Sequence, residues 1–253
     1  MNVTPDSITS HSRVPAAEPG SRQNSGPLPG NRRVLTATAV VAVLPLLVLT
    51  PLVAMRWDPL VWFDTGVALR LYGAVHPLPE LGQGIETWTD LFGTRMMILL
   101  GVAVTVWLAL RRQFTAAVWA LGTIGAAGAT GWVLKHAVER PRPEFVDPIA
   151  TGSGPAFPSG HALMATVGMG VLLFAALPLL RGWWRWVAVV LTVGIALSTG
   201  GTRPLLGVHW VTDVISGASL GVLILAVSLL VWTLLPSAVR RWDRIPQTRD
   251  ATY

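Results

Sequence analysis

Residues 201–235 read GTRPLLGVHWVTDVISGASLGVLILAVSLLVWTLL. A short polar head carrying one arginine, one histidine and one aspartate gives way to an apolar run with no further charge. From 210 to 235 the run exceeds the roughly 20 apolar residues that a helix needs to cross the hydrocarbon of a bilayer. Charge gathered at one end of an otherwise uncharged span is the pattern expected of a membrane helix whose tip carries function, because ionisable groups inside the hydrocarbon are costly.

Working outward, five more runs of similar character precede it, over 34–54, 91–110, 115–134, 161–180 and 183–199. The expected fold is therefore all-α and integral to the membrane, with six transmembrane helices. Composition agrees. The chain is 52% hydrophobic and 13% charged, against about 25% charged for an ordinary soluble domain. The stretch 56–90 is mixed, with Trp57, Trp62, Phe63, Tyr72 and Trp88 among polar residues and Pro77 and Pro79 in the middle. It reads as an interfacial segment with one amphipathic helix over 59–75. No internal repeat is evident.

Residues 1–33 are rich in Ser, Pro, Gly and Asn and read as a disordered tail. The apolar run after Arg32 and Arg33 continues to about residue 54 without a small-residue cleavage site, so it reads as a retained span rather than a signal peptide. Residues 34–236 form the membrane domain and 237–253 a basic tail. The net charge is +6 and the isoelectric point about 11.1. The basic residues flank the spans instead of forming a stripe with interleaved aromatics, which argues against nucleic acid as a partner. With the N-terminus inside, the inner segments carry Arg13, Arg22, Arg32, Arg33, Arg111, Arg112, Arg181, Arg185, Arg240, Arg241, Arg244 and Arg249. The positive-inside rule then places both termini in the cytoplasm and the segments 135–160 and 200–209 on the outer face. Cysteine is absent, which removes disulfides, thiolate metal sites and a cysteine nucleophile.

Three polar clusters interrupt the apolar C-terminal half. Residues 135–143, KHAVERPRP, supply Lys135 and Arg142 as fixed cations, with prolines that stop the helix. By itself this is a snorkelling basic cluster, yet it lies on the face where the charge rule disfavours cations. Residues 157–162, FPSGHA, set Pro158, Ser159 and Gly160 before a helix whose free N–H groups and dipole favour an anion, with His161 in the first turn. An ordinary capped helix start would look similar. In the third cluster, Arg203 precedes His209 and Asp213, which are four apart. On a helix they share a face, so the carboxylate can hold one ring nitrogen and leave the other free as a nucleophile. The structural alternative is a polar pair that joins two helices.

Three cations, a helix N-terminus, two histidines and a carboxylate on one membrane face suit a phosphate. They do not suit a divalent metal, which Lys135, Arg142 and Arg203 would repel, so no metal and no cofactor are expected. Glu139, Arg140, Asp147 and His136 read as solvated loop residues. Gly122, Gly125, Gly128 and Gly131 read as a close-packing face for the third span.

In order, K-x6-R-P (Lys135, Arg142, Pro143), P-S-G-H (158–161) and R-x5-H-x3-D (Arg203, His209, Asp213) resemble the three-part signature of the type 2 phosphatidic-acid phosphatase superfamily. Thr202 stands where that family commonly has serine, and it keeps the hydroxyl. The resemblance implies a helical bundle core like that of the lipid phosphatases and the vanadium haloperoxidases. It also implies roles. His209 would form a phosphohistidine, oriented by Asp213, and His161 would protonate the leaving oxygen. Lys135, Arg142, Ser159, Gly160 and Arg203 would bind the phosphate. The spans favour a substrate that lives in the bilayer: a lipid phosphomonoester such as phosphatidic acid or phosphatidylglycerol phosphate, or an isoprenoid pyrophosphate such as undecaprenyl pyrophosphate. A phosphotransferase, a vanadate-binding haloperoxidase and an anion-binding or transport protein without hydrolysis are the alternatives.

Overall fold

A computed structural model describes residues 31–236. Residues 1–30 of the expected 1–33 tail, and the expected tail at 237–253, lie outside the described residues. Within them the chain forms eight helices and no strand: α1 Arg32–Ala54, α2 Asp58–Val75, α3 Pro79–Leu91, α4 Thr94–Leu110, α5 Phe114–Val138, α6 Gly160–Ala176, α7 Trp184–Leu205 and α8 Val211–Leu234. The protein is an all-α, multi-pass membrane protein. Five helical stretches are long and apolar enough to cross a bilayer, with α3 and α4 counted as one stretch. The sixth expected span is the shorter α6. Its 17 residues cover about 26 Å at the α-helical rise.

The centre of the bundle is α6, and none of its residues is exposed. Its sequence, GHALMATVGMGVLLFAA, is apolar on every side after His161, which is what a helix enclosed by other helices requires. It packs against α4, α5, α7 and α8, while α1 lies along α8. The outward sides of α1 and α7 are apolar as well. Val40, Val41, Leu44 and Leu47 on α1 and Val190, Leu191, Val193 and Leu197 on α7 are exposed, a row far longer than a water-facing helix tolerates.

Small residues set how closely α8 approaches α6. A Cβ on Gly217 would lie within 2.4 Å of the Ser159 carbonyl oxygen, and one on Gly221 within 2.7 Å of Thr166. The Ser159 N–H donates to the Asp213 carbonyl at 3.0 Å, which ties the beginnings of α6 and α8 together. At the opposite end, Trp119 of α5 stacks on Phe174 of α6 with ring centroids 4.0 Å apart, and Trp232 of α8 meets Phe174 edge-on at 5.4 Å.

Several sequence expectations are corrected. The segment after α1 holds two helices, α2 and α3, and Leu91 ends α3 instead of opening the next span. The fifth span is longer than expected, because α7 continues through Gly200 and Arg203 to Leu205 with Pro204 in its last turn. Residues 32 and 33 belong to α1, where the Asn31 side chain accepts from the Arg33 N–H at 3.1 Å. Of the four glycines on α5, only at Gly131 would a Cβ meet a neighbour, Leu163; at Gly122, Gly125 or Gly128 it would meet nothing within 4 Å. The packed face is instead Ala116, Ala120, Ile124, Ala127 and Gly131, four or three apart, as helix packing dictates.

Candidate active site

Four chain segments converge at one end of the bundle. Lys135 lies in the last turn of α5, and Glu139, in the left-handed conformation with φ 46°, closes that helix. Pro141 and Pro143 then keep the chain out of helix. Gly160 and His161 begin α6 behind the Ser159 cap. Arg203 lies in the last turn of α7. His209 follows a turn at Gly207, whose φ of 70° suits glycine and where a Cβ would strike the Phe145 ring at 2.8 Å.

These segments enclose a cavity of about 610 Å³. Lys135, Arg142, Gly160, His161, Arg203 and His209 all line it, so six of the eight residues named from sequence face one space. The other two do not. Ser159 and Asp213 are fully buried behind the wall. The Ser159 hydroxyl accepts from the Ala162 N–H at 3.5 Å and so caps α6. The opposite wall is the junction of α3 and α4, with Asp90, Gly93, Thr94 and Arg95. The absence of a side chain at Gly93 makes room for the His161 ring, since a Cβ there would sit 3.0 Å from Nε2.

His209 and Asp213 meet as the spacing suggests, although by another route. They do not share a helix face, because α8 begins only at Val211. Asp213 sits in the first turn, and one carboxylate oxygen accepts from the Trp210 N–H at 2.9 Å while facing His209 Nδ1 at 3.4 Å. The other ring nitrogen, Nε2, faces the cavity, where Arg142 Nη1 lies 3.1 Å away. A guanidinium can only donate, so Nε2 is the acceptor and the neutral ring carries its proton on Nδ1. Burial lowers His209 to about 4, and the hydrogen bond to Asp213 works against that shift. At neutral pH the imidazole is therefore uncharged, with its Nε2 lone pair directed at Arg142, which also lines the cavity.

The cations are held differently. Arg142 donates to the carbonyls of Gly154 (2.9 Å), Ser153 (3.0 Å) and Val208 (2.5 Å), which leaves few of its donors for a ligand. Lys135 Nζ donates to the Pro155 carbonyl at 2.6 Å. Arg203 is 6% exposed, and its Nε has no protein partner. Buried donors are almost always paired, so an orphan guanidinium nitrogen on the wall of a cationic cavity points to an anion as its partner. Among the described residues no group of three or more His, Asp or Glu is placed to hold a metal ion.

Two residues that sequence reading passed over stand directly behind this wall. Arg140, read as a solvated loop residue, bridges Asp213 and Asp64 of α2, each at 2.6 Å. Asp64 is 1% exposed. An aspartate inside the otherwise apolar stretch 59–63 and 66–69 was the available signal, since a buried carboxylate needs a cation. Asp147 and His136 do lie away from the cavity. Asp147 pairs with His76, and His136 faces the Trp132 carbonyl.

The profile of the PAP2 superfamily matches residues 116–236. Phosphatidylglycerophosphatase B of Bacillus subtilis (strain 168) is 42% identical over 95 residues, which are 36% of this chain and 46% of that protein; the match thus spans about half the length of that relative. Among solved structures, the first transmembrane PAP2-type phosphatidylglycerolphosphate phosphatase from Bacillus subtilis aligns with a TM-score of 0.66 at 23% identity, covering 83% of this chain and 98% of that one. That likeness shows a shared fold.

Proposed function

With residues 116–236 matching the model of the PAP2 superfamily, we propose that the protein is a membrane phosphatase that removes phosphate from a lipid through a phosphohistidine on His209. The observation that carries the reading is one cavity lined by His209, His161, Lys135, Arg142 and Arg203, the last with a buried Nε that has no hydrogen-bond partner. Among substrates, a lipid phosphomonoester is favoured, and phosphatidylglycerol phosphate first, by the name of the Bacillus subtilis relative. An isoprenoid pyrophosphate carries the same reacting group.

In the proposed reaction Lys135, Arg142, Arg203 and the Gly160 N–H hold the phosphoryl oxygens, and Ser159 contributes by fixing the first turn of α6. His209 Nε2 attacks phosphorus as the bond to the leaving oxygen breaks. His161, which takes a proton from solvent as the anionic phosphate binds beside it, gives that proton to the leaving oxygen and so releases the lipid alcohol. The phosphorylated ring keeps its Nδ1 proton and gains positive charge, which the Asp213 carboxylate offsets. His161, now neutral, takes a proton from water as the water attacks the phosphoryl group, and inorganic phosphate leaves with His209 restored. With both termini cytoplasmic this end of the bundle faces outward, toward lipids of the outer leaflet.

The test is phosphate release by detergent-purified protein on phosphatidylglycerol phosphate, phosphatidic acid, undecaprenyl pyrophosphate and a soluble phosphate ester, with EDTA present. Release should survive EDTA and fall by more than about 10³-fold in His209→Ala. Turnover persisting in well-folded His209→Ala would reject the mechanism. Release abolished by EDTA in the wild type would reject metal independence. Phosphate appearing on an added alcohol instead of in solution would favour the phosphotransferase.

A further inference from the structure

Behind the cavity wall Asp213 is joined to two charges, Arg140 and Asp64, that the reaction above does not use. Arg140 Nη1 donates to Asp213 at 2.6 Å and to the Thr212 hydroxyl at 2.7 Å, and Nη2 donates to Asp64 at 2.6 Å. The Thr212 N–H donates to Asp64 at 3.2 Å, and the Thr212 hydroxyl donates to the second Asp64 oxygen. The Trp210 ring lies 5.3 Å from the guanidinium carbon, and its Nε1 donates to the Pro141 carbonyl at 2.9 Å. Asp64 and Asp213 are 1% and 0% exposed, and the Arg140 side chain is 10% exposed. Arg140 does not line the cavity, whereas Arg142, two residues on, does.

We propose that Arg140, clamped by Asp64 of α2, is a positioning residue that fixes the Asp213 carboxylate and sets how strongly that carboxylate draws a proton or positive charge onto His209. The inference rests on His209 being the nucleophile. Its physical basis is a division of labour between the two oxygens of Asp213. Oδ1 is taken by Arg140, and Oδ2 is shared by the Trp210 N–H and His209 Nδ1. Fixing Oδ1 stops the carboxylate from rotating and so fixes the ring.

The clamp also controls charge. A carboxylate neutralised by one guanidinium draws weakly on the imidazole; a guanidinium shared with a second carboxylate neutralises less. Asp64 therefore lets Asp213 keep enough negative charge to support the positive ring of a phosphohistidine. Two buried carboxylates around one guanidinium would be a costly way merely to join α2 to α8, and the cost is intelligible if the surplus negative charge is directed at His209.

The charged groups around His209 are Asp213 on α8, Lys135 on α5, His161 on α6, Arg203 on α7 and Arg142 in the loop before α6, with Arg140 and Asp64 behind Asp213 and with Asp90 and Arg95 across the cavity. Arg140 and Asp64 contact Asp213 or its partner from the side away from substrate, where Arg56 and Asp58 line a second cavity with Arg140. Substitutions there change the electrostatics of the ring without removing a ligand to phosphate.

The experiment compares full-length wild type, Arg140→Gln, Arg140→Lys, Asp64→Asn and His209→Ala in detergent, on short-chain phosphatidic acid. The readouts are kcat, KM, thermal unfolding and the acid limb of kcat/KM. The limb is read as a shift from wild type, so that the substrate's own ionisation cancels. Arg140→Gln should lower kcat by about 10- to 100-fold with KM within about twofold. Its acid limb should move to higher pH, because an unneutralised Asp213 favours protonated His209. Arg140→Lys should restore part of kcat. Asp64→Asn should move the limb to lower pH, because Arg140 then neutralises Asp213 alone.

Opposite shifts from the two sides of one clamp are not produced by loosened packing, and Asp64→Asn carries the test if Arg140→Gln does not fold. Folded variants with an unmoved acid limb would overturn the proposal, as would activity that falls only in step with the folded fraction. If His209→Ala is inactive and the limbs do not move, the clamp alone is wrong. If His209→Ala is active, the phosphohistidine reading and the clamp fall together.

Discussion

The two ends of the bundle are joined by opposite means. At one end Trp119, Phe174 and Trp232 interlock, and the Trp119 Nε1 donates to the Ser228 carbonyl at 3.1 Å. The contacts are apolar, and a side chain can be exchanged there for another of similar volume at modest cost. At the other end helices meet through charge: Asp64, Arg140 and Asp213 in the interior, with four cations, Arg95, Lys135, Arg142 and Arg203, lining the cavity in front of them. An interior full of charge is expensive and unforgiving, because removing one member leaves another unpaired. The apolar end holds the helices together, whereas the charged end spends that stability on a geometry ready for an anion. Stability and activity should therefore respond separately to changes at the two ends.

The largest separation should come from Arg203→Gln. It removes the buried cation whose Nε has no protein partner and keeps much of the side-chain volume, so phosphate release should fall by about 10²- to 10³-fold. Thermal unfolding should stay near that of the wild type, since the lost attraction to Asp90 and Glu86 is offset by relief of the cost of burying the charge. A clear loss of stability instead would mean that Arg203 serves the fold.

Phe174→Ala should show the reverse. Truncating a buried aromatic in a packed cluster costs about 3–5 kcal/mol, which would lower the unfolding midpoint in detergent. Below that midpoint kcat/KM should stay within about twofold of wild type. A tenfold fall in kcat/KM on folded protein would show that the ends are coupled through α6.

The smallest effect concerns pH. His209 is lowered to about 4 by burial, so acidification from pH 7 to 5 should protonate only about a tenth of it, against nearly all of an ordinary histidine near 6.5. Titration of ¹⁵N-histidine-labelled protein, with His209→Asn to assign the signal, reads this directly; a midpoint above 6 would contradict it. The sign for stability follows. Between about 4 and 6.5 the unfolded chain binds a proton that folded His209 refuses, so this group makes the fold less stable as pH falls through that window.

What the sequence revealed and what it withheld divide along the same line. The spans are legible because a bilayer demands long apolar runs whatever surrounds them, and 34–54, 115–134 and 210–235 all fall within or almost within helices. Lys135, Arg142, His161, Arg203 and His209 are legible because cations and histidines at the tips of such runs have few other reasons to be there. Arg140 and Asp64 were missed because their pairing joins residues 76 positions apart, and no local periodicity records a long-range ion pair. Gly122, Gly125 and Gly128 misled for a related reason: spacing says which residues share a face, but not which face a neighbour covers.

One feature of the centre bears on how the molecule is made. No residue of α6 is exposed, so this helix has no side of its own for the bilayer and depends on neighbours from both earlier and later in the chain. The last of them, α8, arrives with Asp213 and directly follows His209. On the proposed mechanism, a chain that stops before that point carries Lys135, Arg142, His161 and Arg203 but lacks the nucleophile assigned to His209.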